Sequence, residues 1–256
     1  MFSRFISQMN GIKEPFVVNL KTLDIRKPAI QAANYLTKGG VIATPTDTIY
    51  GLAAIANNSE AVKRIYEIKG EFVRRTIQSY FLIFHPRISN VLGRNFSKPV
   101  AICVSEVQDL YHWGHVNIPE ELLKELLPGP VTLCFKRKDS LSPELNPGAD
   151  LVGIRIPDHE FIREVCRLTK LPLALTSANV SSAQSTLSID EFKELHHKLD
   201  GIFDGGTLGF TDQTRLGSTI IDLSVCGKYS FIREGCAKNE TIKKLEKYGL
   251  KHEPEN

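Results

Sequence analysis

The sequence predicts an α/β fold built on a mixed sheet. Three observations carry this reading: short apolar runs alternate with segments of helical period, glycine and proline punctuate the joins, and hairpin-like neighbours crowd the last third. Hydrophobic residues make up 42% and charged residues 24% of the 256, the balance of a chain with a packed core. That length allows one large domain or two small ones.

Ala29, Ile30, Ala33 and Leu36 recur at helical spacing, and Gly39-Gly40 ends that helix. A buried strand follows at 41–43. Ser59 is placed to cap a helix carrying Ala61, Val62, Ile65 and Ile68, which stops at Gly70. After a strand at 100–104, Pro119 opens a helix with Leu122, Leu123, Leu126 and Leu127 on its apolar side. The turn Pro128-Gly129-Pro130 leads into a strand at 131–135. A strand at 151–156 stops at Pro157, and Asp158 caps a helix running to Leu168. The short strand 171–175 meets a polar loop, 176–182. Ser188 and Glu191 have the spacing of a capping box. Strands near 202–203, 219–223 and 229–232 and a helix at 238–248 complete the pattern.

The formal charge of +3 suits an anionic small ligand and is too weak to indicate nucleic acid by itself. Five cysteines, at 103, 134, 166, 226 and 236, include no C-x-x-C pair. Cys103, Cys134 and Cys166 lie in apolar runs and read as buried thiols, which makes a reducing compartment the default. No apolar run approaches the roughly 18 residues that span a bilayer. Residues 1–13 carry Arg4 and Lys13, two serines and no acid, a faint transit-peptide composition. The expected division is an N-terminal extension at 1–26, the main domain at 27–237, and a helix and tail at 238–256. The expected location is cytoplasmic, with the mitochondrion as a second option.

Four polar clusters sit at strand ends, where α/β sheets hold ligands. Pro45-Thr46-Asp47-Thr48-Ile49-Tyr50-Gly51-Leu52 either grips a small polar ligand or forms a turn bonded to its own backbone. Lys69 ends a helix and Lys98 precedes a strand; each is a phosphate partner or a helix-dipole partner. Arg155 lies inside an apolar strand, so it needs an anion, either a structural carboxylate or a ligand. Thr176-Ser177-Ala178-Asn179, Asp204-Gly205-Gly206 and Arg215-Leu216-Gly217-Ser218 let a ligand approach backbone N–H groups. No Walker motif, G-x-G-x-x-G or G-x-S-x-G is present. His196 and His197 are adjacent and cannot chelate from one helix face, and His159 reads as a helix-start residue. No protein metal ligands are expected.

Taken in order, 45–52, Lys69-Gly70, Lys98-Pro99, 127–132, Ile154-Arg155-Ile156-Pro157, 176–179 and 216–219 resemble the successive motifs of the YrdC family, over about 29–235. The chain is especially similar to the single-domain eukaryotic members, because little sequence follows Arg233. The resemblance implies a twisted, open α/β barrel with a mixed sheet and a cationic cavity. It implies synthesis of threonylcarbamoyl-AMP: L-threonine and bicarbonate form a carbamate, which attacks the α-phosphate of ATP and releases pyrophosphate, with Mg²⁺ on the phosphates. The product would pass to a separate tRNA threonylcarbamoyl-transfer complex, for N6-threonylcarbamoyladenosine. Residue by residue, the resemblance implies threonine contacts from Thr48, Arg155, Ser177 and Asp204. It implies ATP contacts from Lys69, Arg94, Lys98, Asn179, Ser185 and Ser218, with Lys69, Arg94 and Lys98 as the catalytic cations.

One departure stands out. The family runs from Lys-Gly directly into Arg, whereas here 71–93 intervene; removing them joins Ile68-Lys69-Gly70 to Arg94 and Lys98-Pro99. The family arginine is therefore assigned to Arg94 rather than Arg74 or Arg75. The segment contains the continuous apolar run 80–84. It is read as a lid over the ATP site, an added packed element, or sequence that the mature protein lacks, the last being favoured. Two other functions stay open: a non-catalytic module binding double-stranded RNA or tRNA, and a carbamoyl-transfer relative with another acceptor. Against the first, the chain lacks an arginine-rich stripe with interleaved aromatics.

Overall fold

A computed structural model describes residues 16–21, 24–70, 99–180 and 183–253. The expectations for 1–13, 71–93, Arg94 and Lys98 fall outside the described residues. In chain order the elements are β1 (Phe16–Asn19), α1 (Arg26–Thr37), β2 (Ile42–Thr44), β3 (Gly51–Ile55), α2 (Ser59–Ile68), β4 (Ala101–Cys103), α3 (Val107–Trp113), α4 (Glu120–Leu126), β5 (Val131–Lys136), β6 (Leu151–Arg155) and α5 (Glu160–Thr169). There follow β7 (Leu173–Ser177), a 3₁₀ turn (Ile189–Phe192) running into α6 (Lys193–His196), β8 (Gly201–Asp204), α7 (Asp212–Arg215), β9 (Thr219–Asp222), β10 (Lys228–Arg233), α8 (Lys238–Lys247) and β11 (Lys251–His252).

The described strands form one open mixed sheet in the order β1-β8-β2-β3-β7-β4-β6-β5-β9-β10-β11. β2, β3, β7 and β4 are successively antiparallel, while β4 and β6, and β5 and β9, run parallel. The expected mixed sheet is present, and the late hairpin is the antiparallel pair β9–β10.

Side-chain alternation across the sheet divides the core in two. From β3, Leu52 and Ala54 join a cluster with Val62 and Ile65 of α2, Leu122 and Leu126 of α4 and Leu245 of α8. Ala53 and Ile55 point the other way, into a cluster with Ala29, Ala32 and Leu36 of α1 and Phe161, Ile162 and Val165 of α5. A strand covered on both faces has no polar side to show, so β3 reads as an unbroken apolar run. That is why it escapes the period-two search.

Several local expectations are corrected. The buried stripe of α1 is Ala29, Ala32, Ala33 and Leu36, while Ile30 lies one step round the helix and is exposed. α2 is capped by Asn58, whose carboxamide oxygen accepts from the Ala61 N–H at 3.1 Å, and Ser59 is already helical. His159, not Asp158, occupies the N-cap of α5. Ser188 makes no side-chain capping bond, and the Glu191 carboxylate accepts from the Leu187 N–H and Arg215 instead of closing a capping box. β7 extends two residues beyond its expected end, since Thr176 and Ser177 pair with Leu52 and Gly51 of β3. α3 also escaped the sequence reading. Its start is marked by Asp109, whose carboxylate accepts from the Glu106 N–H at 2.9 Å.

Candidate active site

The strands deliver the polar motifs to one edge of this sheet. The antiparallel pair β2–β3 is closed by 45–50, which begins where Thr44 meets Gly51. Thr46 is the hub of that turn. Its hydroxyl donates to the Ile49 carbonyl at 2.7 Å and accepts from the Thr48 N–H at 3.1 Å, the self-bonded arrangement that the sequence allowed. The same turn also presents Thr48 and Asp47 outward to Arg155 at the end of β6. Arg155 Nη2 donates to Thr48 Oγ1 at 2.8 Å and to Asp47 Oδ1, with Thr46 Oγ1 at 3.5 Å. Arg155 and Asp47 form an ion pair whose side chains are 7% and 9% exposed. Arg155 Nε and Asp47 Oδ2 are buried without a hydrogen-bond partner among the described residues.

A second group forms where α2 meets the end of β7. Lys69 follows α2 as its C-cap, yet its ammonium reaches across the sheet rather than resting on its own helix. Nζ donates to the carbonyls of Ser177 and Asn179, each at 3.0 Å. Asn179 uses its amide nitrogen on the Val180 and Ala183 carbonyls at 3.1 and 2.6 Å. Its Oδ1 is buried without a hydrogen-bond partner among the described residues. Lys69 is thus joined in one hydrogen-bonded unit to Ser177 and Asn179, more than a hundred positions away in sequence.

The third group centres on Ser218, just before β9. Its hydroxyl lies 2.9 Å from Thr132 Oγ1 of β5 and accepts from Arg233 Nη2 at 3.1 Å. Arg233 also donates Nε and Nη2 to the Ser218 carbonyl at 3.1 and 2.7 Å. Burial, and then the nearby Arg155 guanidinium, lower the Arg233 pKa below the usual arginine range. A β-carbon on Gly235 would stand 2.3 Å from the Ser218 carbonyl carbon and the Thr219 nitrogen. Gly235→Ala is therefore expected to cost about 1–3 kcal/mol of stability through overpacking and to displace Ser218. Thermal denaturation followed by circular dichroism checks it.

Tyr50 joins the turn to β8. Its hydroxyl donates to the Gly206 carbonyl at 2.7 Å, with Asp204 Oδ1 at 3.2 Å, and accepts from the Gly205 N–H at 2.9 Å. Burial and then the Asp204 charge raise the phenol pKa, so Tyr50 stays protonated as a donor.

One cleft collects these groups: its walls include Thr46, Arg155, Ser177, Ser218, Arg233 and Tyr50. Thr48 stands directly behind Arg155, and Lys69 and Asn179 behind Ser177. Asp204 reaches the cleft through Tyr50. Ser185 lies further out, its carbonyl accepting from Arg215 Nη1 at 2.8 Å. The sequence reading missed Arg233 and Thr132. The signal for Arg233 was the one used for Arg155, an arginine closing an apolar strand. Thr132 was a lone hydroxyl in a buried strand. Among the described residues no three His, Cys, Asp or Glu side chains cluster as cation ligands.

A family model for Sua5, YciO and YrdC, described as telomere recombination, matches residues 34–79 and 85–235. The threonylcarbamoyl-AMP synthase of Bos taurus is 46% identical over 217 residues, covering 84% of this chain and 70% of that protein. The Homo sapiens threonylcarbamoyl-AMP synthase is 44% identical over 218 residues, with the same coverage of 84% and 70%. Among solved structures, that of P. abyssi Sua5 complexed with L-threonine superposes with a TM-score of 0.71 at 30% identity. The superposition covers 94% of this chain and 63% of that one, so this chain spans a little under two thirds of the archaeal protein. With most of its length matched by the family model and the α/β sheet shared with the archaeal structure, the chain belongs to the Sua5, YciO and YrdC family.

Proposed function

We propose that this chain is a nucleotidyltransferase that forms L-threonylcarbamoyladenylate and pyrophosphate from L-threonine, bicarbonate and ATP. The observation that carries the proposal is the gathering of Thr48, Arg155, Ser177 and Ser218, from four distant segments, around one cleft. Relatives at 44–46% identity that bear the name threonylcarbamoyl-AMP synthase support it, as does the threonine-bound archaeal neighbour.

In this reading the threonine amine and bicarbonate yield a carbamate and water. A carbamate oxygen then attacks the α-phosphorus of ATP in line, and the bond to the β-phosphate oxygen breaks to release pyrophosphate. Such a displacement calls for alignment and charge neutralisation more than a protein nucleophile. Arg155 offers a buried, unpartnered Nε–H to an anionic oxygen, the threonine carboxylate being the one assigned. Thr48 and the Ser177 hydroxyl complete the threonine side, with Asp204 at its margin. Asn179, whose buried Oδ1 awaits a donor, and Ser218 take the nucleotide, with Ser185 beyond them. Lys69, together with Arg94 and Lys98, supplies positive charge toward the phosphates. Mg²⁺ enters as part of the ATP substrate, since it keeps water and phosphate oxygens as ligands and needs little from protein. The product goes on to a tRNA threonylcarbamoyl-transfer complex.

The test is pyrophosphate release from ATP, Mg²⁺ and bicarbonate, with threonine added or left out. Release that depends on threonine is the expected result. Tight binding of double-stranded RNA or tRNA without any release would overturn the proposal in favour of a binding module.

A further inference from the structure

We infer that Asp47 is a positioning residue for Arg155: its carboxylate holds Nη2 and so fixes the plane of the guanidinium, leaving Nε for the substrate carboxylate. This rests on the reading that the cleft takes threonine. An arginine carries five N–H donors in one plane, and which of them face a ligand depends on how the plane is turned. Here Nη2 is claimed from the protein side by Asp47 Oδ1, Thr48 Oγ1 and, more distantly, Thr46 Oγ1. The two hydroxyls rotate and carry no charge, and Thr46 already serves its own turn. Asp47 is the charged member of the set. Both partners are more than nine-tenths buried, so their attraction is weakly screened and neither side chain can swing into solvent. Nε is left buried with no partner among the described residues, a donor of the fixed plane that an anionic oxygen would satisfy.

A second observation points the same way. Arg233 shares the cleft with Arg155, and the two guanidiniums oppose one another electrostatically. Like charges at close range would turn the freer of the two aside. Arg233 is held by the Ser218 carbonyl and hydroxyl. Arg155 has Asp47, whose charge offsets that repulsion. The pairing also ties the β2–β3 turn to the end of β6, so the turn and the arginine are set together.

The experiment measures threonine and ATP binding separately, by titration calorimetry on the full chain, for wild type, Asp47→Asn, Asp47→Glu and Arg155→Ala, and for Asp47→Asn combined with Arg155→Ala. Asp47→Asn is expected to weaken threonine about 10–100-fold, the scale of a misplaced contact, while ATP affinity stays within about twofold. Asp47→Glu, which keeps the charge and a fold to measure if the asparagine variant does not fold, should lie between. In the Arg155→Ala background Asp47→Asn should add nothing. Equal loss of both ligands would indicate general structural damage and overturn the positioning role. So would wild-type threonine affinity in Asp47→Asn and Asp47→Glu, or an undiminished Asp47 effect once Arg155 is gone. If the wild type itself bound no threonine, the functional reading would fail first and this inference with it.

Discussion

Arg155→Ala is expected to raise the threonine concentration needed for pyrophosphate release by two orders of magnitude or more, and to lower stability as well. The two effects have separate causes. On the ligand side, the variant loses the Nε–H that the proposal assigns to the threonine carboxylate, a charge-assisted donor about twice as strong as a neutral one. On the protein side, it leaves Asp47, 9% exposed, without the cation beside it. Breaking a buried pair by removing one partner costs about 3–5 kcal/mol, because the surviving charge is uncompensated. Arg155→Lys separates the two. It restores a cation beside Asp47 but lacks the planar fork, so stability should return further than the threonine requirement does. The measurements are threonine titrations at saturating ATP alongside thermal denaturation. Unchanged threonine kinetics in a folded Arg155→Ala protein would remove this residue from the site.

How much of this was legible in the sequence depends on what each residue had to satisfy locally. Arg155 stood out because a guanidinium in an apolar strand always needs an explanation, and the sequence offered a carboxylate or a ligand without naming Asp47. The partner came from a turn more than a hundred residues away, joining strands that are not neighbours of β6, and only the tertiary fold brings them together. Lys69 was read as a phosphate or dipole partner, since nothing local announces that β7 ends within its reach. β3 was hidden for the opposite reason. Buried on both faces, it presents neither alternation nor polar punctuation, and its first residues are those of a motif read as a loop. The caps were misassigned where two candidates adjoin, Asn58 beside Ser59 and Asp158 beside His159. Asn58 and Ser59 both satisfy the pattern, whereas His159 takes the N-cap position without a side-chain capping bond, so the pattern could not have named it.

Lys69→Ala should be the second severe variant, with the larger loss in turnover and a smaller one in threonine binding through Ser177. The Lys69 ammonium binds the Ser177 and Asn179 carbonyls, and the residue is 5% exposed. Truncating it strips a charged donor from two carbonyls where water has little access, at about 1–3 kcal/mol for each buried group left unmade. The turn at 177–179 would relax, carrying with it the Ser177 hydroxyl and the Asn179 carboxamide. If this ammonium also faces the phosphates, as proposed, its removal should lower kcat by about 10²–10³, the scale of one lost electrostatic donor. Lys69→Met distinguishes anchoring from catalysis only in part, because it keeps the stem and its packing but loses both roles of the charge. Lys69→Arg keeps the charge on a planar head that cannot present three tetrahedral donors, so it should recover stability more than rate. The decisive comparison is kcat for pyrophosphate release in each variant against its thermal midpoint. Full wild-type turnover in Lys69→Met would show that the ammonium is needed for neither role, and the charge acting on phosphate would then have to come from elsewhere in the chain.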